Sequence, residues 1–223
     1  MKRVFIILVV ATFYCVASQN SFAQGSFINL NFESPILPLT RDAEFMVPIT
    51  NALPSWTGYI GGSQVSRIAY NAIALDAAAI SLHDPGSPSF IPLQGSYSVF
   101  LQGGRFSPFG AAIGQTAQIN PLANSLFFSA QFDNIFPGPQ VTFAGQSISY
   151  FEFSQANNYS VFAADISALA GQTGELRFSS GGSVLLDGIR FSSTVVPEPS
   201  TFALTGIGAL LFAVFYRRNF HRK

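Results

Sequence analysis

The sequence has 223 residues, a formal net charge of zero and a single cysteine, Cys15. The charge is uneven, because residues 24–196 hold ten acidic side chains, five arginines and no lysine, a net charge of −5. A mildly acidic segment without lysine argues against binding to nucleic acid or to an anionic membrane surface. One cysteine, placed near the N-terminus, leaves the rest of the chain without a disulfide.

The first 23 residues predict a secretory signal peptide. Met1-Lys2-Arg3 is a basic region, an apolar stretch fills residues 4–16, and Ser21-Phe22-Ala23 puts small residues before a cleavage site after Ala23. An uncleaved N-terminal helix is the alternative, for which the apolar stretch is short. We therefore expect an exported protein whose mature chain begins at residue 24.

Residues 24–194 predict one all-β domain. Short alternating runs are separated by Gly, Pro and Asn, and the length suits a single domain with its own core. The spacing favours a two-sheet jelly-roll β-sandwich, with a hairpin at Ala144-Gly145 and one helical turn over 165–170, capped by Asp165. The predicted strands are 27–33, 56–60, 64–70, 74–82, 97–102, 113–119, 125–132, 141–143, 146–153, 159–164, 176–179 and 184–192.

Five short segments of this domain form a recognisable set. They are Asn31-Phe32-Glu33, Pro54-Ser55-Trp56, Gly95-Ser96-Tyr97-Ser98-Val99, Ile113-Gly114-Gln115-Thr116 and Leu185-Leu186-Asp187-Gly188-Ile189. Together they resemble the galactose-binding-like jelly rolls that occur in many bacterial carbohydrate-binding modules. The resemblance implies that the first and last strands pair, which would bring the two ends of the domain together.

The same resemblance implies a structural calcium ion shared by Glu33 and Asp187, one acid on the first strand and one on the last. Calcium needs several oxygen ligands, and loop carbonyls would complete its shell. The family often has two consecutive acids on the last strand, whereas Gly188 follows Asp187 here. The alternative is that Glu33 accepts hydrogen bonds from backbone amides and Asp187 pairs with an arginine such as Arg190.

Aromatic residues suggest a carbohydrate platform made of Trp56, Tyr59 and Tyr97, because sugars pack their C–H faces on aromatic rings. Tyr70 is a further candidate for this platform. The alternative, which the sequence favours for Trp56, is that a lone tryptophan after a proline fills the core.

Catalysis finds little support in the sequence, and we expect a protein that is not an enzyme. His83 is the only histidine of the β domain and lies beside Asp84 in a turn-rich segment, where we expect an exposed loop side chain. A Gly-x-Ser-x-Gly elbow, a zinc-type Cys/His cluster and a phosphate-binding glycine loop are all missing from the sequence.

The C-terminus, residues 195–223, has three parts in a fixed order. Val196-Pro197-Glu198-Pro199-Ser200 comes first, and its prolines favour an extended backbone. An uncharged apolar run over 201–216 predicts a membrane helix of about 24 Å, shorter than the hydrocarbon core of about 30 Å. A basic cluster, which should stay in the cytoplasm, closes the chain at Arg217, Arg218, Arg222 and Lys223.

This order resembles the PEP-CTERM sorting signal of bacterial surface proteins. The resemblance implies that an exosortase cleaves at or near Pro-Glu-Pro and releases or transfers the ectodomain, which until then is anchored in the inner membrane. A simple C-terminal anchor is the alternative. The sequence thus predicts a non-enzymatic, exported protein of the cell surface or extracellular matrix; a carbohydrate-binding module for exopolysaccharide is the second hypothesis and a hydrolase acting through His83 the third.

Overall fold

The computed structural model describes residues 25–104, 110–132 and 138–196. They form two β-sheets that pack face to face, so the prediction of a two-sheet, mostly β domain is confirmed. Helix within these ranges is limited to α1 (Ile49–Ala52) and a 3-10 turn at Ser167–Leu169. The jelly-roll connectivity and the likeness to galactose-binding domains stay predictions.

The first sheet has eight strands, antiparallel except where strand Arg67–Tyr70 runs parallel to strand Ala79–His83. Strands 98–102 and 183–192 lie at its centre and pair with each other. In spatial order the strands are β1 (Met46–Pro48), β4 (Arg67–Tyr70), β5 (Ala79–His83), β6 (Ser98–Gln102), β14 (Ser183–Ser192), β8 (Ser125–Phe132), β12 (Ser160–Asp165) and β11 (Phe151–Gln155).

The second sheet has six antiparallel strands. Its long central pair, strands Thr173–Ser180 and Ala111–Gln118, aligns Thr173 with Gln118 at one end and Ser180 with Ala111 at the other. In spatial order the strands are β10 (Gln146–Ser147), β9 (Gln140–Phe143), β13 (Thr173–Ser180), β7 (Ala111–Gln118), β2 (Thr57–Ile60) and β3 (Ser63–Val65).

One large apolar core fills the space between the sheets. Successive side chains of a strand point to opposite faces, so Leu176 and Phe178 of β13 enter the core while Glu175 and Arg177 face outward. On β14, Leu186 enters the same core, whereas Leu185 belongs to a separate cluster on the outer face of the eight-stranded sheet. Side chains on both outer faces therefore lie outside the main core.

The predicted first strand, 27–33, is not a strand. Asn29 and Phe32 have φ values of 50° and 58°, a left-handed conformation that interrupts the pleat. The backbone N–H and carbonyl of Ile28 pair with the side-chain amide of Gln115, at 2.8 and 2.9 Å, instead of with a neighbouring strand. The segment still reaches the last strand, because the N–H of Ile189 donates to the carbonyl of Leu30 at 3.2 Å.

Two predicted strands are each divided between the sheets. The run predicted over 64–70 becomes β3 in the six-stranded sheet and β4 in the eight-stranded sheet, with Ser66 between them. The run predicted over 146–153 likewise becomes β10 and β11 in different sheets. A chain that switches sheets keeps its alternating pattern on both sides of the corner, so periodicity alone reads it as one strand.

Most other predicted strands are confirmed with small shifts of their ends, but the run predicted over 74–82 is a strand only over Ala79–His83. Strand 125–132 has the predicted bounds, and β9 and β10 form the hairpin at Ala144-Gly145. The turn after Asp165 is a 3-10 turn, and the Asp165 carboxylate accepts a hydrogen bond from the N–H of Ser167 at 2.8 Å. The predicted signal peptide, 1–23, and the segment 197–223 lie outside the described residues.

Candidate functional site

The end of the domain is fastened to the outer face of the eight-stranded sheet. We call residues 193–196 the strap. The side chain of Asn124 donates to the carbonyl of Ser193 and the hydroxyl of Ser125 donates to the carbonyl of Thr194, both at 2.7 Å. These two bonds continue the pairing of β14 with β8, whose last aligned pair is Ser192 with Ser125.

Val196, the first residue of the predicted processing motif, is part of the folded domain. Its side chain is 4% exposed and packs in a small cluster with Phe127 and Ala163, whereas the neighbouring Val195 is 61% exposed. Partly buried Val161 and Phe151 complete this cluster. The remaining motif residues Pro197, Glu198, Pro199 and Ser200, like the basic cluster at 217–223, lie outside the described residues.

Glu33 and Asp187, the predicted calcium ligands, converge on one loop, residues 93–98. Glu33 Oε1 accepts hydrogen bonds from the backbone N–H groups of Ser96 and Tyr97, at 2.7 and 3.0 Å. Gly95 lies against this carboxylate with φ +59°, and a Cβ there would come within 2.2 Å of Oε1. For Glu33 the structure therefore matches the alternative of backbone amide partners.

Asp187 is 1% exposed and accepts three hydrogen bonds. Oδ2 accepts from the N–H of Gln94 at 3.0 Å and the hydroxyl of Ser98 at 2.6 Å, and Oδ1 accepts from the N–H of Gly188 at 2.6 Å. Burial raises the pKa of Asp187 to about 6 even though these bonds favour the ionised form. The predicted partner Arg190 lies instead with its guanidinium carbon 4.5 Å from the ring centroid of Phe127.

This donor set does not fit a calcium ion shared by Glu33 and Asp187. Calcium is held by oxygen ligands, but the loop presents N–H and O–H donors to both carboxylates. Across the described ranges, no group of three or more His, Cys, Asp or Glu side chains is placed to hold a metal. The two acids act here as acceptors that hold the 93–98 loop on the sheet.

The predicted aromatic platform is divided between different parts of the molecule. Trp56 is 4% exposed, packs with Phe32 in the main core and donates its indole N–H to the carbonyl of Asn29 at 2.9 Å. Tyr97 also packs against the main core. The buried Trp56 ring matches the core alternative and leaves no face for a sugar, so of the three residues only Tyr59 lies on an outer surface.

Tyr59 lies on the outer face of the six-stranded sheet, in a cluster with Glu175 and Arg177. The Tyr59 hydroxyl donates to Glu175 Oε1 at 2.7 Å, and Arg177 Nε donates to Glu175 Oε2 at 2.9 Å. The guanidinium carbon of Arg177 is 3.9 Å from the centroid of the Tyr59 ring. Burial and the Glu175 hydrogen bond raise the pKa of Tyr59, so its hydroxyl stays protonated.

A groove of about 490 Å³ opens beside this cluster. Its lining combines the tyrosine and the arginine with hydroxyl and amide side chains and with small residues. The lining includes Tyr59, Ala112, Gln140, Thr142, Arg177 and Ser179. Such a surface can pack an apolar ring face and bond hydroxyl groups.

His83 is buried, so the expectation of an exposed loop histidine is wrong. The side chain is 0% exposed and lies edge-on to Phe90 and Phe100, with ring centroids 5.2 and 5.9 Å away. Burial lowers the pKa of His83 to about 4, against the opposing charge of Asp84. The carboxylate of Asp84 bonds Tyr70 and Asn71 rather than the imidazole.

The tautomer of His83 follows from its neighbour Ser87. The Ser87 hydroxyl oxygen accepts from the N–H groups of Ser89 and Phe90, so its own proton points to His83 Nδ1, 2.7 Å away. The ring proton of His83 is then on Nε2, which has no hydrogen-bond partner among the described residues. A neutral imidazole closed off from solvent does not reach a substrate.

Comparison with known proteins identifies the end of the chain. The family model described as the PEP-CTERM protein-sorting motif matches residues 195–219. No curated protein matches the chain. The motif implies sorting by an exosortase-type system, and therefore an exported protein that is anchored by its C-terminus before processing. In the described part of the chain, every helix is too short to cross a membrane.

Proposed function

We propose that this protein is a non-enzymatic β-sandwich that an exosortase-type enzyme cuts at Pro197-Glu198-Pro199 and delivers to the cell surface or extracellular matrix. The observation that supports this most directly is the sorting-motif match over 195–219, whose second residue, Val196, packs on the β-sandwich. In this reaction a peptide bond near Glu198 breaks, and its carbonyl carbon forms a new bond to water or to another nucleophile. The proton of that nucleophile passes to the amine of the apolar segment, which leaves.

Replacing Pro197-Glu198-Pro199 with three alanines tests the proposal. In the producing cells, the unchanged protein should lose its C-terminal segment and leave the inner membrane, and the variant should stay in that membrane at full size. Immunoblotting of fractionated cells with tags on both ends of the mature chain measures both outcomes. A variant that is still trimmed and released would refute processing at this motif.

A second candidate function is binding to exopolysaccharide, and the groove beside Tyr59 favours it. The groove lies on an open sheet face and combines an aromatic ring with amide, hydroxyl and guanidinium groups. The Arg177 charge is balanced by Glu175, which favours a neutral rather than a uronic sugar. We therefore centre the candidate platform on Tyr59, because Trp56 is buried and Tyr97 packs partly against the core.

Binding of the purified protein to exopolysaccharide from the producing cells tests this candidate. Tyr59→Ala should lower the affinity by about tenfold, because the stacking of a sugar on the tyrosine ring contributes on the order of 1 kcal/mol. Tyr59→Phe keeps the ring and loses only the bond to Glu175, so its affinity should stay within about twofold of the unchanged protein. Equal binding by all three proteins would exclude this groove.

The hydrolase hypothesis depends on His83. The buried, neutral ring described above speaks against it, and we propose no reaction for the ectodomain. Turnover of a polysaccharide or ester that His83→Ala abolishes, with the fold intact, would overturn this part of the proposal.

A further inference from the structure

Very little chain separates the folded domain from the predicted membrane segment. Val196 is still packed on the sheet, and the apolar run begins at Thr201. Four residues therefore lie between them, and fully extended they span at most about 14 Å. A processing enzyme at the membrane must therefore bind the motif within about 14 Å of Val196.

Enzymes that cut peptides bind them as extended segments, and pairing with the substrate backbone supplies much of the affinity. Such pairing needs free backbone on both sides of the bond that is cut. On the N-terminal side of Pro197 the carbonyls of Ser193 and Thr194 accept hydrogen bonds from Asn124 and Ser125. The side chain of Val196 packs in a cluster with Phe127 and Ala163.

We propose that the strap, residues 193–196, is a gate on processing: it must leave the sheet before the enzyme can bind the motif. This inference rests on the proposed processing at Pro-Glu-Pro. The strap holds the motif's first residue in the domain, and the side chains of Asn124 and Ser125 set how often it opens. They are positioning residues that lie outside the motif in the sequence.

The strap can open without unfolding the domain. The aligned pairing of β14 with β8 ends at Ser192, so residues 193–196 are fastened by side chains and not by the ladder. Phe127 keeps its contact with Arg190 on the strand before the strap. Opening is therefore local, and the β-sandwich behind it stays paired.

The test follows cleavage of the full-length chain by pulse–chase in the producing cells. The double variant Asn124→Ala, Ser125→Ala loosens the strap and leaves the motif unchanged. Two lost hydrogen bonds should raise the open fraction, and with it the cleavage rate, by about tenfold. A rate equal to or below that of the unchanged protein would overturn the gate.

An insertion provides a second, independent measurement that does not depend on a substitution under the strap. Eight Gly and Ser residues placed between Val196 and Pro197 supply free backbone without opening the strap. The insertion should be cut at least as fast as the unchanged chain, and adding Asn124→Ala, Ser125→Ala to it should change the rate by less than about twofold. A further tenfold increase would overturn the gate, because the strap substitutions would then raise the cleavage rate even where the motif is already free.

Two controls separate the gate from the proposed function. Val196→Ser should speed cleavage, because it removes the apolar contact with Phe127 and Ala163. If Pro197-Glu198-Pro199→Ala blocks cleavage while the strap variants have no effect, the gate is wrong and the sorting function stands. If the alanine triplet is still cut at the same place, the proposed function itself is wrong.

Discussion

The outer faces of the two sheets differ in what covers them. On the eight-stranded sheet, the segment 84–97 and the strap lie over the strands, and polar groups such as His83, Ser98 and Asp187 are buried. On the six-stranded sheet, Glu175 and Arg177 keep 27% and 33% of their side-chain surfaces exposed. One face is a second interior and the other is a solvated surface.

The difference shows where a polar side chain contributes to stability and where it is free to serve binding. A buried polar group costs free energy unless it is hydrogen-bonded, and on the covered face Asp187 has three such bonds. Glu175 on the open face also accepts three, from Tyr59 and Arg177, but in contact with water. The two carboxylates form a matched pair for testing the comparison.

The largest expected effect is that of Asp187→Ala. Removing the carboxylate leaves the N–H of Gln94, the hydroxyl of Ser98 and the N–H of Gly188 buried without an acceptor, so the free energy of unfolding should fall by about 4 kcal/mol. Urea denaturation of the purified protein measures it. Glu175→Ala, its counterpart on the open face, should cost less than about 1 kcal/mol. Equal losses of unfolding free energy in the two variants would show that the two faces do not differ in how their carboxylates contribute to stability.

A somewhat smaller effect is expected from Gly95→Ala in the loop that covers Glu33. The new Cβ would meet Glu33 Oε1 at 2.2 Å, at a φ of +59°, so we expect a loss of about 3 kcal/mol. Gly62→Ala is the control, because Gly62 also has a positive φ, +82°, but nothing within 4 Å of the added carbon. It should cost only about 1 kcal/mol, and equal losses would mean that backbone strain alone explains the effect.

The sequence predicted the open face and the core better than the covered face. Alternation on β13 was enough to separate Leu176 and Phe178 from Glu175 and Arg177. The local sequence around His83 does not predict that Phe90 and Leu93 pack on the outer face of the sheet, because this packing depends on contacts between distant parts of the chain. A turn-rich stretch was therefore interpreted as an exposed loop.

The candidate sites were predictable to a similar, uneven degree. The C-terminal motif could be found from sequence because its order of proline, apolar run and basic residues is local. Glu33 and Asp187 were expected to lie near each other, and both contact the 93–98 loop. Their role could not be predicted, since a carboxylate that accepts N–H bonds looks the same in sequence as one that binds a cation. The fastening of Val196 by Asn124 and Ser125 had no local signal.

The pH dependence of stability tests the comparison further, because His83 and Asp187, both buried on the covered face, change the free energy of unfolding in opposite directions as the pH falls. The folded-state pKa of His83, about 4, lies below its unfolded value of 6.5, so this residue lowers stability as the pH falls from 6.5 to 4. The pKa of Asp187, about 6, lies above 3.8, so its contribution is present at low pH and is lost as the pH rises from 3.8 to 6. Each amounts to about 3 kcal/mol.

Single variants should separate the two contributions. His83→Gln keeps only the Asp187 contribution, so its stability should rise as the pH falls from 6 to 4, whereas Asp187→Asn keeps only that of His83 and should lose stability over the same range. Urea denaturation at several pH values measures both slopes. Parallel slopes in the two variants would show that at least one of these groups is not closed off from water.

The smallest expected effect is that of calcium, which should leave the melting temperature of the unchanged protein within about 1 °C. A site whose dissociation constant is 100-fold below the calcium concentration would stabilise the fold by about 2.7 kcal/mol, a shift of several degrees. We expect no such shift because the oxygens of Glu33 and Asp187 already accept N–H and O–H bonds from the 93–98 loop. Melting in calcium, in magnesium and in a chelator measures it, with Glu33→Gln, Asp187→Asn as the matched variant. A calcium-specific rise that this variant abolishes would mean that the loop turns carbonyl oxygens toward a cation, and the covered face would then hold a metal site rather than two acceptors.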